Sequence, residues 1–277
     1  MIDIPSIADS LARIKIAKTD IIQAIIAKGV DVPEGTKIDG LATLIAQIGG
    51  DTPTGLPANT LRFKFSKSSY DPTTAYGWND NKVGGDGTWT KVEGTEDNIW
   101  DWTYDNPIWG GIYDEVQSPF IGAFTDSDNE VEIIAAGDTS NVTNTSEMFS
   151  LCFCLKSICL FDTSNVTLMN GMFEMGDNYS LLETLPLFDT SNVTDFSYFL
   201  YGCTSLKEIP LFNTSKATDV TCMCAGCYYV ESGALALYNQ LSTQTNPPNS
   251  HGYCFSNCGS ESETGPAELA QIPDDWK

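Results

Sequence analysis

Apolar residues in the second half of the chain recur in one frame, in which a leucine is followed three and five positions later by apolar side chains. The frame occurs at residues 155–160, 182–187 and 206–211, and residues 131–136 fit it less strictly. Alternate residues of an extended chain lie on one face. The frame therefore predicts four adjacent, parallel strands whose last two apolar positions point inward.

A polar phrase follows each of these frames. The phrase Asp-Thr-Ser-Asn-Val-Thr begins at Asp138, Asp162 and Asp189, and a decayed copy begins at Asn213, so the starts lie 24, 27 and 24 residues apart. Asp and Asn side chains fold back on nearby backbone groups, which is typical of turns. A fixed period of this length indicates stacked repeats, and stacked repeats present extended surfaces that are mostly used for binding.

Two short helical elements are predicted within or near the repeats. Asn144 precedes Glu147 by three residues, the spacing of a helix start with a capping side chain. Residues 232–241 predict a helical insertion. The motif around Cys258 repeats an earlier one, so a modified fifth repeat is predicted to close the stack.

The middle of the chain is rich in tryptophan and alternates like β-strands. Residues 61–65, 89–92 and 99–104 predict strands that follow a linker at residues 51–57. The rings have two interpretations: they fill the core of a small β-rich unit, or they form an exposed platform for sugars, with Asp101, Asp105 and Asn106 as hydrogen-bonding partners. The candidate glycan-binding residues are Trp78, Trp89, Trp100, Trp102 and Trp109.

Apolar stripes with helical spacing characterise the first fifty residues. Two short helices are predicted there, and such a pair buries little of its own apolar surface. The segment is therefore predicted to be an anchor or oligomerisation module, although a small helical hairpin docked on the rest of the chain is the alternative. The anchor residues are Ile21, Ile22, Ile25, Ile26, Ile38, Leu41, Leu44 and Ile45.

These patterns divide the chain into three regions. Residues 1–50 are the predicted helical anchor, residues 51–128 the linker and aromatic β-rich cap unit, and residues 129–277 the repeats with a C-terminal cap.

The nine cysteines fall largely within the repeat frame. Cys152, Cys203 and Cys227 share one column of the aligned copies. Thiolates are preferred zinc ligands, and an oxidising compartment favours disulfides. We favour a third interpretation, in which the thiols are small buried apolar groups stacked in the core.

Composition restricts the range of functions. The formal net charge of −23 repels phosphate backbones, so nucleic-acid binding by residues 51–277 is not expected. No secretory signal and no membrane-spanning stretch is apparent, so neither export nor membrane insertion is expected. The single histidine, His251, excludes sites that need two. No catalytic residue, metal or cofactor is predicted, although a carboxylate pair for glycan hydrolysis remains open as an alternative.

The repeat unit resembles a known family. The polar phrase, followed by Met-Phe, a Cys, Ser-Leu-Lys and a leucine-rich strand, is similar to the BspA-like leucine-rich repeat of bacterial surface adhesins. The resemblance covers about residues 129–277, and Cys154 replaces the Ser of Ser-Leu-Lys in the first copy. It implies parallel strands on one face of a short leucine-rich-repeat solenoid. With the small aromatic β-rich unit and the N-terminal helical anchor that precede it, the predicted fold class is α+β. The resemblance covers neither of these two parts. It also implies adhesion or recognition as the function.

A second resemblance concerns the start of the chain. Residues 17–30 and 32–39 are similar to a short segment of tail-fibre and other virion proteins of tailed phages. We therefore expect a phage virion structural protein, a tail or head fibre or a decoration protein, that is assembled in the host cytoplasm. Its N-terminal helices would contact other virion proteins. The protein would form a homo-oligomer, for which we expect a trimer. Its repeats would adhere to a glycan or protein on the host surface. A bacterial BspA-like surface adhesin and a polysaccharide-degrading enzyme are the alternatives.

Overall fold

The computed structural model describes residues 56–77, 82–110, 118–176 and 179–277, and residues 55–277 form one compact unit. Five strands of the described residues make one sheet with the order β2-β3-β1-β4-β5. Their bounds are β1 Thr60–Phe65, β2 Thr88–Lys91, β3 Asn98–Thr103, β4 Val131–Ala136 and β5 Leu155–Ile158.

The sheet is mixed. The central strand β1 pairs antiparallel with β3 and with β4, whereas β4 and β5 are parallel. The three strands predicted in the tryptophan-rich region are confirmed as β1, β2 and β3. Because β1 pairs directly with β4, the sheet continues from the aromatic region into the first repeat.

Alternation along β1 explains its central place. Leu61, Phe63 and Phe65 are buried on one face, as the period of two in the sequence requires. On the other face the Arg62 guanidinium pairs with the Asp101 carboxylate of β3 at 2.6 Å. The aromatic rings on the buried face extend into the repeats, since Phe120 stacks on Phe149 with 5.4 Å between ring centroids.

Beyond β5 the repeats are joined by single backbone bridges. A parallel series of bridges links Ile108, Asn144, Leu168, Asp195, Asp219 and Ser250. The last of these bridges, at Ser250, precedes the motif around Cys258 for which a modified fifth repeat is predicted. The two helices among the described residues are short: α1, Ala234–Thr243, confirms the predicted insertion, and α2, Gly265–Leu269, lies in the C-terminal cap. A 3₁₀ turn, Asp274–Trp276, ends the chain.

The polar phrase holds neighbouring repeats together, as the second copy shows. Asp162 Oδ1 accepts the Ser164 N–H at 2.9 Å and closes the turn. The Thr163 hydroxyl donates to the Asp189 carbonyl of the next repeat at 2.8 Å. The Asn165 amide donates to the preceding repeat at 2.6 Å. The phrase therefore recurs because each of its polar side chains satisfies a backbone group of its own turn or of a neighbouring repeat.

The last threonine of the phrase makes a further series of contacts. The hydroxyls of Thr167, Thr194 and Thr218 donate to the carbonyl of the equivalent threonine one repeat earlier, at 3.3, 3.2 and 3.0 Å. The backbone N–H of each residue donates to the same carbonyl at 2.8–2.9 Å. Side chain and backbone thus fix the same register between repeats.

The predicted fold class is wrong. The described residues form a mostly β structure around the mixed five-stranded sheet, with two short helices, and not an α+β leucine-rich-repeat solenoid with a helical anchor. Only the first two leucine frames form strands, β4 and β5, which are adjacent and parallel as predicted. The segments at residues 182–187 and 206–211 are not strands.

Proline explains why the later frames fail to form strands. Pro186 and Pro210 have no N–H to donate to a neighbouring strand. The N–H of the phenylalanine two residues later instead turns back to the proline carbonyl, at 3.0 Å for Phe188 and 2.9 Å for Phe212. This turn directs the intervening leucines outward, so Leu187 is 60% exposed where the frame predicted burial.

Two further local predictions have different outcomes. The helix predicted after Asn144 is wrong, because the Asn144 side chain caps the Ser146 N–H at 2.8 Å but turns follow it. The predicted burial of the cysteine column is confirmed. The Cys203 thiol donates to the Phe173 carbonyl, and the Cys227 thiol to the Leu200 carbonyl, at 3.2 and 3.1 Å.

Replacing Thr163 by valine tests the role of the polar phrase. The side chain keeps its shape, but the hydrogen bond from the buried Thr163 side chain to the Asp189 carbonyl is lost, so the free energy of unfolding should fall by about 1–3 kcal/mol. Thr143→Val is the matched control, because the exposed Thr143 hydroxyl makes only a 3.4 Å contact to the Pro107 carbonyl. Urea unfolding measures both. Equal losses for the two variants would show that the buried contact between repeats is not important.

Candidate functional site

One column of the aligned repeats has a left-handed backbone in all five copies, and a second column has it in four. In each copy, a residue with φ of 54° to 59° follows shortly after the residue that forms the parallel bridge to the neighbouring repeat. Backbone hydrogen bonds show that these five residues occupy equivalent positions. The N–H of each of the first four donates to the carbonyl of the residue that precedes the next member, at 2.8–3.0 Å. The residues are Glu147, Gly171, Tyr198, Cys222 and Tyr253, and we call them the left-handed row.

The left-handed row carries bulky side chains where glycine would be unstrained. Only Gly171 adopts this conformation without a steric penalty. For other L-residues the left-handed region costs roughly 1–2 kcal/mol. Side chains that are kept at such positions are typical of functional sites, because nothing in the backbone requires them.

Two tyrosines make the row accessible to a partner. Tyr198 is 41% exposed and Tyr253 is 65% exposed. The Tyr198 ring packs edge-on against Tyr201 with 5.7 Å between centroids, which holds it in place. The Tyr198 side chain is also hydrogen-bonded to the Cys222 thiol.

A pair of carboxyl groups lies at the other end of the row. A Cβ at Gly171 would be 3.1 Å from Glu147 Cγ and 3.2 Å from a Glu174 carboxylate oxygen, so both glutamate side chains lie beside this glycine. Glu147 is only 6% exposed. Burial, and then the neighbouring Glu174, raise the pKa of Glu147 to about 7. Burial also raises the pKa of Glu174.

No basic group balances these carboxyls in the part of the chain that the structure describes. The five ion pairs found there involve other residues. No described side chain acts to lower the pKa of either glutamate. Burial therefore disfavours the ionised form of both carboxyl groups.

The thiol of the row is not suited to nucleophilic chemistry. Burial raises the pKa of Cys222, although the hydrogen bond from Tyr198 acts in the opposite direction. A thiol with a raised pKa stays protonated at neutral pH, and the thiolate is the reactive form. The row therefore combines aromatic faces, neutral hydrogen-bonding groups and carboxyls, which are groups that bind ligands.

The tryptophans lie mostly inside the protein. Trp102 and Trp109 are completely buried and Trp100 is nearly so, which leaves these rings no free face for a sugar. Trp89 is half-buried and its indole N–H donates to the Val83 carbonyl at 2.8 Å. These positions agree with the core interpretation of the aromatic region. Trp78 lies outside the described residues.

The predicted anchor also lies outside the described residues, with all eight of its apolar positions between Ile21 and Ile45. Sequence reasoning missed the left-handed row. One signal was available: aligning the repeats places Gly171 in the same column as Glu147 and Tyr198, and a glycine in one copy indicates a backbone position with positive φ.

Comparison with known proteins gives one match. Residues 119–235 match the model of a family described as "Mycoplasma protein of unknown function, DUF285", a domain associated with BspA-like surface repeat proteins. The matched region contains the first four residues of the left-handed row, from Glu147 to Cys222. No curated protein and no solved structure matches the chain. Among the described residues, no helix has the length and apolar character needed to cross a bilayer.

The raised pKa of Glu147 predicts how stability depends on pH. The folded protein holds this proton up to about pH 7, whereas the unfolded chain releases it near 4.5. The Glu147 contribution to the free energy of unfolding should therefore decrease as pH rises from about 4.5 to about 7 and stay constant above that. Glu147→Gln should remove this slope and be more stable than the parent at pH 8.

Denaturant unfolding at a series of pH values measures the effect. Glu183→Gln, at an exposed position, is the control and should leave the slope in place. An unchanged slope in the Glu147→Gln variant would contradict the assignment.

Proposed function

We propose that this protein recognises a surface, and that the left-handed row is where it binds its ligand. The single observation that supports this is that Glu147, Tyr198, Cys222 and Tyr253 occupy backbone positions that favour glycine. Two of these side chains are exposed aromatic rings, and exposed tyrosines with few rotatable bonds are effective contact residues. The ligand is a glycan or protein on a host surface.

Adhesion fits the row better than catalysis. The Cys222 thiol is protonated, and the tyrosine and carboxyl side chains form a shallow series along the repeats. That the protein is not an enzyme stays a prediction. Turnover of a glycan by the purified protein would contradict it.

We propose that the recognition face is carried by a phage particle. Support comes from the similarity of residues 17–30 and 32–39 to tail-fibre and virion proteins. In this proposal residues 1–50 contact other virion proteins or further copies of the chain, and a trimeric fibre or a decoration protein is the assembled form. The high negative charge keeps many copies soluble at high local density.

A bacterial surface protein is the second candidate. The match of residues 119–235 to a domain associated with surface repeat proteins favours it. Both candidates use the same recognition face and differ in what carries it. Immunogold labelling distinguishes them, because label on purified phage particles supports the first and label on intact cells free of phage supports the second.

Replacing Tyr198 by glycine tests the recognition face. The variant relieves the left-handed strain but loses an exposed ring, so binding should fall at least about tenfold while the free energy of unfolding stays equal or rises. The measurements are binding of the full chain to a glycan array and to a panel of bacterial cells, with urea unfolding in parallel.

The matched control is Tyr179→Gly, which removes a more exposed tyrosine that is not part of the row. Binding that falls equally in both variants, or in neither, would contradict the assignment of the row. Failure of the parent chain to bind any glycan or cell would contradict the proposed function itself.

Deleting residues 1–50 tests the attachment segment. Residues 55–277 form a compact unit, so the shortened chain should keep its circular dichroism spectrum and its melting temperature. It should fail to self-associate or to enter particles, because the deleted segment carries the apolar stripes that mark interfaces. Light scattering and particle incorporation are the measurements. A shortened chain that still assembles, or that does not fold, would show that the segment is not an attachment module.

A further inference from the structure

A row of charged side chains crosses the face formed by β4, β5 and the later leucine frames, and its sign alternates from one repeat to the next. Each member directly follows a fully or almost fully buried residue, so the members occupy equivalent positions. Backbone hydrogen bonds join neighbours: the Lys207 N–H donates to the Glu183 carbonyl at 3.2 Å, and the Glu231 N–H to the Lys207 carbonyl at 2.8 Å. The members are Glu132, Lys156, Glu183, Lys207 and Glu231, and we call them the alternating row.

An exposed apolar stripe runs beside the alternating row. In three successive repeats the residue before the buried phenylalanine is a leucine: Leu160 is half-buried, Leu187 is 60% exposed and Leu211 is 52% exposed. Ile134 of β4, the strand paired with β5, is 40% exposed and extends the stripe. We call these four residues the leucine stripe. Apolar side chains that stay exposed along a stack form a contiguous patch, and such patches mark interfaces.

The charges of this face allow two copies of a highly acidic chain to approach each other. The whole chain has 14 basic and 37 acidic residues. In the alternating row, two lysines are interleaved with three glutamates, and Lys64 of β1 lies directly opposite Glu132 in the sheet. The repulsion that the net charge of −23 creates between copies is therefore locally balanced at this face.

We propose that this face is an interface between two copies of the chain. The copies are related by a two-fold axis that lies in the interface, parallel to the strands, between Lys156 and Glu183. The proposal concerns other residues than the left-handed row and residues 1–50, so it goes beyond the proposed function and does not rest on it.

The alternating charges select this position of the axis. A two-fold axis parallel to the strands reverses the order of the repeats, so Lys156 faces Glu183 of the second copy. By the same symmetry, Glu132 faces Lys207 of the second copy, and every pair combines opposite charges. An axis through Glu183 would instead place Glu183 on its own equivalent and Lys156 on Lys207. Like charges that face each other across an interface cost free energy, so the alternation fixes the register.

The same axis brings the two leucine stripes together. Rotation about an axis parallel to the strands preserves the position along each strand, so the stripe of one copy faces the stripe of the other. Leu160 meets Leu187 of the second copy. Leu211 meets the β4 strand of the second copy, where Ile134 is exposed. A two-fold contact uses one surface twice, and this surface is complementary to itself in both charge and apolar character.

The two lysines of the row are already held at the surface. The Lys156 ammonium group lies 2.7 Å from a Glu130 carboxylate oxygen, and both side chains remain nearly half exposed. The Lys207 ammonium group lies over the ring of Tyr229, 5.4 Å from its centroid. Long side chains that are held in place lose less conformational freedom when two surfaces meet. The charged part of the interface therefore needs little rearrangement.

Charge reversal tests the proposal on the full chain. In Glu183→Lys the new side chain faces Lys156 of the second copy, and in Lys156→Glu the new side chain faces Glu183. Each variant alone should associate at least about tenfold more weakly than the parent. An equimolar mixture of the two variants should restore association, because opposite charges face each other again in the mixed pair. Mixing leaves the contacts within each chain unchanged, so restoration reports only the contact between copies.

Sedimentation equilibrium over a series of concentrations measures the association. The parent should contain an even number of chains, and each charge-reversed variant should have half the mass of the parent. Leu187→Gln should also weaken association at least about tenfold, while its urea unfolding stays that of the parent because the side chain is exposed. Ile108→Gln is the matched control, since Ile108 is exposed but is not part of the stripe, and it should change neither measurement.

Three outcomes would overturn the proposal. The first is a parent that is a single chain in solution, and the second is a mixture that stays as weakly associated as its components. The third is a Leu187→Gln variant that unfolds more easily but keeps the mass of the parent, which would show that the stripe is covered within one chain. None of these variants alters the left-handed row or residues 1–50, so binding to glycans or cells tests the proposed function separately.

Discussion

The hydrogen bonds that cross from one repeat to the next are the interactions on which the rest of the structure depends. Beyond β5 the described repeats are linked by isolated bridges and by backbone hydrogen bonds between successive turns, such as that from the Phe149 N–H to the Met172 carbonyl at 2.9 Å. Threonine hydroxyls, asparagine amides and cysteine thiols add to these bonds, each paired with a carbonyl of an adjacent repeat. Satisfying buried backbone groups in this way is obligatory, and the polar phrase is the sequence that does it.

The same register places the side chains of the candidate site. Because each repeat contributes one residue to the left-handed row, the row runs along the stack, and its members differ while the backbone beneath them does not. In each repeat, the polar phrase that fixes the register and the residue of the left-handed row are therefore only a few positions apart. Gly171 has no side chain, and glutamates of two neighbouring repeats occupy the space beside it.

The sequence predicted local elements better than their arrangement. Strong alternation of bulky apolar residues identified β1 and β3, and turn-forming side chains identified the polar phrase. The later leucine frames misled us because the pattern of apolar spacing ignores Pro186 and Pro210, which remove the donors a strand needs. The antiparallel pairing of β1 with β4 joins residues far apart in the chain, and no local pattern encodes it. The candidate site was missed because backbone φ at Glu147 and Tyr198 depends on the stacking of neighbours.

Both ends of the stack are closed, and this restricts how such a protein can diversify. The first repeat pairs with the sheet through β4, and Trp276 covers the last one, where its ring lies parallel to His251 at 4.2 Å. A gene duplication can therefore lengthen the protein only by inserting a whole repeat in the interior. Each insertion would add one residue to the left-handed row and leave the closing elements unchanged. Length and binding specificity could thus change by recombination among internal copies, without redesign of either end.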